Sequence, residues 1–250
     1  MTNYTIPIGL DAITGHIGSL RNQGDGGCNY IIFLDAHNGQ TTVTEFICDV
    51  FKERRIRHFG GRDAYLEYSL DGTMAQLQQV LTDIRLRACY TNEFEGVIAM
   101  DIAGIAKHSH EAQATTFLNA VQALSEHATL VFYVPSEPSH NMITLVNKLR
   151  SVLDEVEVFH PAPYTADHLT AIIHRMLDDA GIVMEDTPEL YTCILEVVRS
   201  AGAVTIKDAE KLTRKLTRCA DFTGFRPTLN VQNICACLHA DKRNTMKEVI

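Results

Sequence analysis

The segment Leu34-Asp35-Ala36-His37-Asn38-Gly39-Gln40-Thr41-Thr42 puts one glycine and two hydroxyls between an apolar run and the start of a helical pattern. A chain grips phosphate at such a place with three kinds of group. Glycines let backbone N–H groups turn inward, a lysine neutralises the outer phosphates, and a Ser or Thr hydroxyl binds Mg²⁺. Gly39 and Thr41 fill the last glycine and the hydroxyl positions, whereas Leu34 stands at the first glycine and Gln40 at the lysine. An ordinary strand-to-helix turn uses the same residues. A second carboxylate candidate ends the apolar run Val97-Ile98-Ala99-Met100-Asp101. An aspartate there can join the Mg²⁺ shell in phosphoryl transfer, and it can equally cap a helix or form a turn. The next position, where a glutamate would polarise an attacking water, is Ile102. The candidate cofactor-binding set is therefore Asn38, Gly39, Gln40, Thr41, Thr42 and Asp101, with no catalytic residue and no metal ligand assigned.

Other constellations are poorer. Lys107-His108-Ser109-His110-Glu111 offers His-x-His and a carboxylate without a fourth ligand, and reads as a solvated loop. Cys235-x-Cys237-x-His239 lacks a second cysteine pair and reads as buried structural cysteine. No Gly-x-Ser-x-Gly turn suggests a hydrolase.

The elements that must position the loop come from short apolar runs: 30–34, a weaker one around 56–59, 97–100, 130–134 and 156–159. They are rich in β-branched and aromatic residues and are separated by helical patterns at 42–53, 74–89 and 111–127. That alternation predicts parallel strands buried on both faces in a wound α/β sheet. In the middle helix Leu77, Val80, Leu81, Ile84 and Ala88 form one apolar stripe. From Thr165 to Cys219 no strand is evident. Leu169, Ile172, Ile173, Met176 and Leu177 mark one amphipathic helix, and Leu190, Cys193, Ile194, Val197 and Val198 a second. A third runs from 206 to about 219. Thr187-Pro188 and the Thr205/Asp208 spacing supply helix starts. The stretch 221–227 breaks the pattern, a short helix is expected over 229–240, and 241–250 reads as a polar tail. Pro161-Ala162-Pro163 marks a boundary, giving an α/β domain over 1–162, a helical domain over 163–240 and the tail.

The 250 residues, 46% hydrophobic and 21% charged, suffice for one or two cores and exclude disorder, collagen and coiled coil. No run approaches the roughly 18 residues of a bilayer span, and the N-terminus lacks the basic-then-apolar order of a signal peptide, so a soluble, cytoplasmic chain is expected. A net charge of −9 repels polyanions and disfavours nucleic acid. Seven scattered cysteines, an odd number, suggest reduced thiols.

Taken in order, these segments resemble the AAA+ ATPases, in particular the group containing red-type Rubisco activase and stage V sporulation protein K. Ile8-Gly9-Leu10-Asp11-Ala12-Ile13 looks like the opening of that module, 35–42 like its Walker A loop and 97–101 like Walker B. Glu111-Ala112-Gln113, Phe117-Leu118 and 130–135 look like the helix and sensor-1 strand that follow. Leu149-Arg150-Ser151-Val152-Leu153-Asp154, then Val156, Phe159 and Pro163-Tyr164-Thr165, are similar to the passage into the family's lid. The resemblance covers 8–217. It implies a P-loop-type five-stranded parallel sheet of order 5-1-4-3-2 followed by a small all-helical lid.

The departures from the family fall on its chemistry. Gln40 replaces the Walker A lysine, Ile102 the Walker B glutamate and Val152 the arginine that reaches a neighbouring subunit's nucleotide. Ser136 or Glu137 stands at sensor 1, and Lys207 is a loose counterpart of the sensor-2 arginine. An arginine finger alone is worth roughly 10³ to 10⁵ in rate. The resemblance therefore implies a catalytically degenerate module acting as a scaffold, adaptor or regulatory subunit. It needs no cofactor, binds ATP or ADP with Mg²⁺ weakly at most, and meets a protein partner or its own copies through AAA+-type faces, with no nucleic acid and no membrane. The alternatives are an active ATPase with atypical motifs, its missing charge supplied by Lys52, Lys107 or a partner, and a nucleotide or anion sensor without turnover.

Overall fold

A computed structural model describes residues 6–20, 28–56, 65–70, 78–80, 82, 83, 86, 96–108, 111–126 and 128–236. The chain divides into two compact units between Ala162 and Pro163.

The first unit is a parallel sheet. Its strands are β1 (Asn29–Phe33), β2 (Tyr65–Ser69), β3 (Val97–Asp101), β4 (Thr129–Val134) and β5 (Val156–Phe159), in the order β2-β3-β4-β1-β5. Every ladder in it is parallel. This is the expected order. β1 and β4 are buried along their whole length, as strands covered on both faces must be, and that is why they read as unbroken apolar runs. The helices are α1 (Asp11–Ser19), α2 (Gln40–Glu53), α3 (Ala103–His108), α4 (Glu111–Ser125) and α5 (His140–Val152). α2 buries Val43, Phe46, Ile47, Val50 and Phe51 on one stripe. Ser139 starts α5, its hydroxyl accepting the Met142 N–H. Ile98, Met100, Phe117, Leu130 and Phe132 form the centre of the core on the α4/α5 side.

The second strand lies ten residues beyond the expected place. Ile56 is a buried bend that closes α2, its N–H donating to the Phe51 carbonyl at 2.9 Å; residues 57–59 lie outside the described residues. Of the expected 74–89 helix, residues 78–80, 82, 83 and 86 are described and helical. Val80 packs on the core, and the Tyr68 hydroxyl donates to Asp83 at 2.8 Å. Of the stripe's other members, Leu77, Leu81, Ile84 and Ala88 lie outside the described residues. Lys107 and His108 end α3 rather than sitting in a loop, because Asp101 caps a helical turn directly after β3, whereas Glu111 begins α4 where the helical pattern placed it; Ser109 and His110 lie outside the described residues.

The second unit holds α6 (Ala166–Asp179), α7 (Pro188–Ser200) and α8 (Ile206–Cys219). Leu169, Ile172, Ile173 and Leu177 of α6 face Leu190, Ile194 and Val198 of α7 and Ala209 and Leu216 of α8 in the buried set. All three starts are capped by threonine: Thr165, Thr187 and Thr205 each accept a backbone N–H. Here the all-helical expectation is corrected. Val183–Met184 (β6) pairs in parallel with Thr228–Leu229 (β7). Each piece is two residues long, too short to show an alternation. Leu229 is therefore strand, and the last described helical residues are 231–236, begun by Asn230, whose side chain accepts the Asn233 N–H at 2.9 Å. Cys237, His239 and the 241–250 tail lie outside the described residues. Cys219 is disulfide-bonded, against the expectation of reduced thiols throughout, since pairing depends on tertiary neighbours that spacing does not reveal. Cys28, Cys48, Cys193 and Cys235 are free.

Candidate functional site

The loop between β1 and α2 is built on two left-handed residues, His37 at φ 67° and Gly39 at φ 91°. Glycine adopts that conformation freely, whereas histidine in it is strained. Gly39 is the N-cap of α2, and its carbonyl accepts the Val43 N–H at 2.9 Å. The first turn of α2 thus presents Gln40, Thr41 and Thr42 at the helix end that favours anions.

Several of the side chains that would act on a phosphate already have partners within the chain. The Gln40 amide donates through Nε2 to the Leu34 carbonyl at 2.9 Å. The Thr41 hydroxyl donates to Glu67 of β2 at 3.2 Å. Asp101 accepts the Ala103 N–H at 3.0 Å, acting as the cap of α3. Asp35 accepts the Ser136 N–H at 2.9 Å and the Ser136 hydroxyl as well, which fastens the loop to the chain leaving β4. Asn38 donates its N–H to the Asp35 carbonyl at 3.1 Å, and Thr42 stands half-buried on α2.

Beneath the loop, Tyr133 of β4 donates its hydroxyl to the Gln40 carbonyl at 2.6 Å and lies 2.8 Å from the Thr44 hydroxyl. Burial pushes the Tyr133 phenol well above its ordinary range, so it stays a neutral donor. Tyr133 shares a row of the sheet with Ile32, Asp101 and, beyond it, Ser69. Asp101 is thus two strand spacings, ~10 Å, from β1.

The structure therefore brings Asn38, Gly39, Gln40, Thr41 and Thr42 together at one helix end, with Asp101 on the same row of strand ends. It adds three residues that sequence reasoning missed, Glu67, Thr44 and Tyr133, and gives Asp35 of the expected loop a fastening role. Ser136 is tied to the loop through Asp35. Ile102 is wholly buried in the core cluster that holds Ile105 and Phe117. Lys52 is exposed in the last turn of α2, about 18 Å along the helix from Gln40, too far to replace a lysine there. Val152 is half-buried at the end of α5, and Lys207 is exposed in the first turn of α8. The side chain of Lys107 lies outside the described residues. Asp35, Glu67 and Asp101 give this region a negative cast that works against a polyphosphate.

No protein-family model matches the chain, and no curated protein matches it in sequence. Solved structures do. RuvB of Thermotoga maritima superposes with a TM-score of 0.60 over 94% of this chain and 70% of its own, at 16% identity. Domain III of the Thermotoga maritima replication initiation protein DnaA does so with 0.55 over 92% and 90%, at 13% identity. The Aeropyrum pernix ORC1 protein, solved in complex with DNA, gives 0.55 over 99% and 69%, also at 13% identity. These are AAA+ proteins.

The chain has an AAA+ fold.

At such identities the AAA+ likeness concerns the course of the backbone, so the loop's chemistry rests on this chain's own residues. The strand order and the helical C-terminal portion agree with that fold. Among the described residues no helix is long and apolar enough to cross a membrane.

Proposed function

We propose that this chain is a catalytically degenerate AAA+ module that serves as a scaffold, adaptor or regulatory subunit of a larger assembly and does not turn over ATP. The observation that carries this reading is the internal use of the loop's polar groups. Gln40 binds the Leu34 carbonyl, Thr41 binds Glu67 and Asp101 caps Ala103. A nucleotide with Mg²⁺ would have to break the first two of these bonds and then meet no lysine. The helix end itself offers only about 0.3–1 kcal/mol at an exposed site. ATP affinity is therefore millimolar or absent, and no cofactor is required.

Within the fold, Leu149-Arg150-Ser151 and Pro163-Tyr164-Thr165 support placement beside the Rubisco activase and stage V sporulation protein K group, and partners meet the module through AAA+-type faces, including those of other copies. The 1–162 unit is the degenerate nucleotide domain and 163–240 the lid. Neighbours with this fold include a DNA complex, but a net charge of −9 and the carboxylates about the loop favour protein over nucleic acid here. The test is phosphate release by the purified chain, with and without Mg²⁺. The expected result is the buffer rate in both; robust turnover abolished by Asp101→Ala would overturn the reading.

A further inference from the structure

The second unit carries a groove of about 540 Å³ where α6 ends, β6 passes and α7 begins, with His174, Asp178, Glu185, Asp186, Tyr191 and Arg226 on its walls. Three carboxylate residues and one arginine line it. Asp178 lies in the last turn of α6, which carries no basic residue. The end of α6 is the negative pole of that helix even though the Ala180, Gly181 and Ile182 N–H groups donate to its last carbonyls, so a carboxylate there works against helix stability. His174, one turn earlier, keeps Nε2 shielded from solvent and without a hydrogen-bond partner. Burial lowers the pKa of that imidazole, so it adds no positive charge at neutral pH. Its ring lies 5.4 Å from that of Tyr191. Carboxylates beside neutral aromatic rings suit an organic cation. Among the described residues no group of three His, Cys, Asp or Glu is placed to hold a metal ion.

An apolar feature adjoins the groove. Val183, on its wall, is 43% exposed, and its N–H donates to the Pro227 carbonyl at 2.8 Å. The loop that ends at Pro227 holds Phe225 fully exposed and Phe222 62% exposed. Exposed aromatic side chains on the loop that also carries Arg226, which lines the groove, have the make-up of an interface anchor.

We propose that this groove docks a protein segment presenting an arginine or lysine beside an apolar side chain, the cation among Asp178, Glu185 and Asp186 and the apolar group against Phe225. This deepens the scaffold reading, and because its test uses no nucleotide, docking and hydrolysis fail separately. The experiment is calorimetric titration of the full chain, at about 0.05 M salt where charge pairing is little screened, with a synthetic peptide alternating arginine and leucine. A glutamate–leucine peptide and an arginine–serine peptide are the comparisons. Saturable binding of the first alone is expected. Asp178→Asn with Asp186→Asn should weaken it at least ~10-fold and Phe225→Ala at least ~3-fold. These side chains are exposed, so far-UV circular dichroism should show the fold retained. Absence of saturable binding by the arginine–leucine peptide, equal binding of the glutamate peptide, or affinity unchanged in both variants would overturn the proposal.

Discussion

Gln40 is uncharged, and its side chain turns back to the Leu34 carbonyl. Gln40→Lys adds a charge but leaves Thr41 tied to Glu67 and Asp35 clasped by Ser136. The substitution alone should therefore improve ATP binding less than about tenfold, which is 1.4 kcal/mol. Adding Glu67→Gln should extend the gain, and titration with a fluorescent nucleotide reads both. Tight binding by the unaltered chain would refute this. Ile102→Glu is expected to damage the fold. The site is 0% exposed and apolar, so an unpartnered carboxylate there should cost about 3–5 kcal/mol, visible as a lower urea midpoint. Tyr133→Phe should cost about 1 kcal/mol in the same assay, since Gln40 keeps the Thr44 hydroxyl on its carbonyl. The loop and Asp101 were legible because glycine, hydroxyl and carboxylate types at strand ends carry a chemical meaning. Glu67 and Tyr133 were not, because their approach to α2 depends on strand order and register, which no local spacing encodes.

Elements with strong periodicity or capping chemistry were the legible ones. α6, α7 and α8 announced themselves through apolar stripes and threonine caps. β2 did not, because Tyr-Leu-Glu-Tyr-Ser on a sheet edge mixes polar and apolar residues. The cap of α8 gives a pH prediction. Hydrogen bonding by the Thr205 hydroxyl, then Lys211 and the Val204 N–H, holds the Asp208 carboxyl down to about 2 from an ordinary 3.8. A folded pKa below the unfolded one means stability present above the unfolded value and lost as pH falls through the folded one. The melting temperature of the unaltered chain should thus exceed that of Asp208→Asn at pH ~5, and the gap should close toward pH ~2. A gap independent of pH would show that the charge contributes nothing.

Across the whole molecule, the two units divide at the proline-flanked Ala162. Each has its own buried set: Tyr30, Phe51 and Phe132 in one, Leu169, Ile194 and Leu216 in the other. Residues 163–250 expressed alone should give a helical circular dichroism spectrum and a cooperative melt; a chain without cooperativity would show that its core needs the first unit. Charge belongs to the same scale. A chain at −9 favours encounter with basic partners.

The β6–β7 ladder has a consequence for the order of folding. Val183 meets Thr228 roughly 45 residues later, with α7 and α8 between them. Local turns of helix form without closing so long a loop, whereas this pairing must wait until the chain between is compact. Amides of α6–α8 should therefore be protected early in a pulse-labelling hydrogen-exchange experiment. The Val183 and Glu185 amides, bonded to the Pro227 and Leu229 carbonyls, should gain protection last and, at equilibrium, lose it first by local opening.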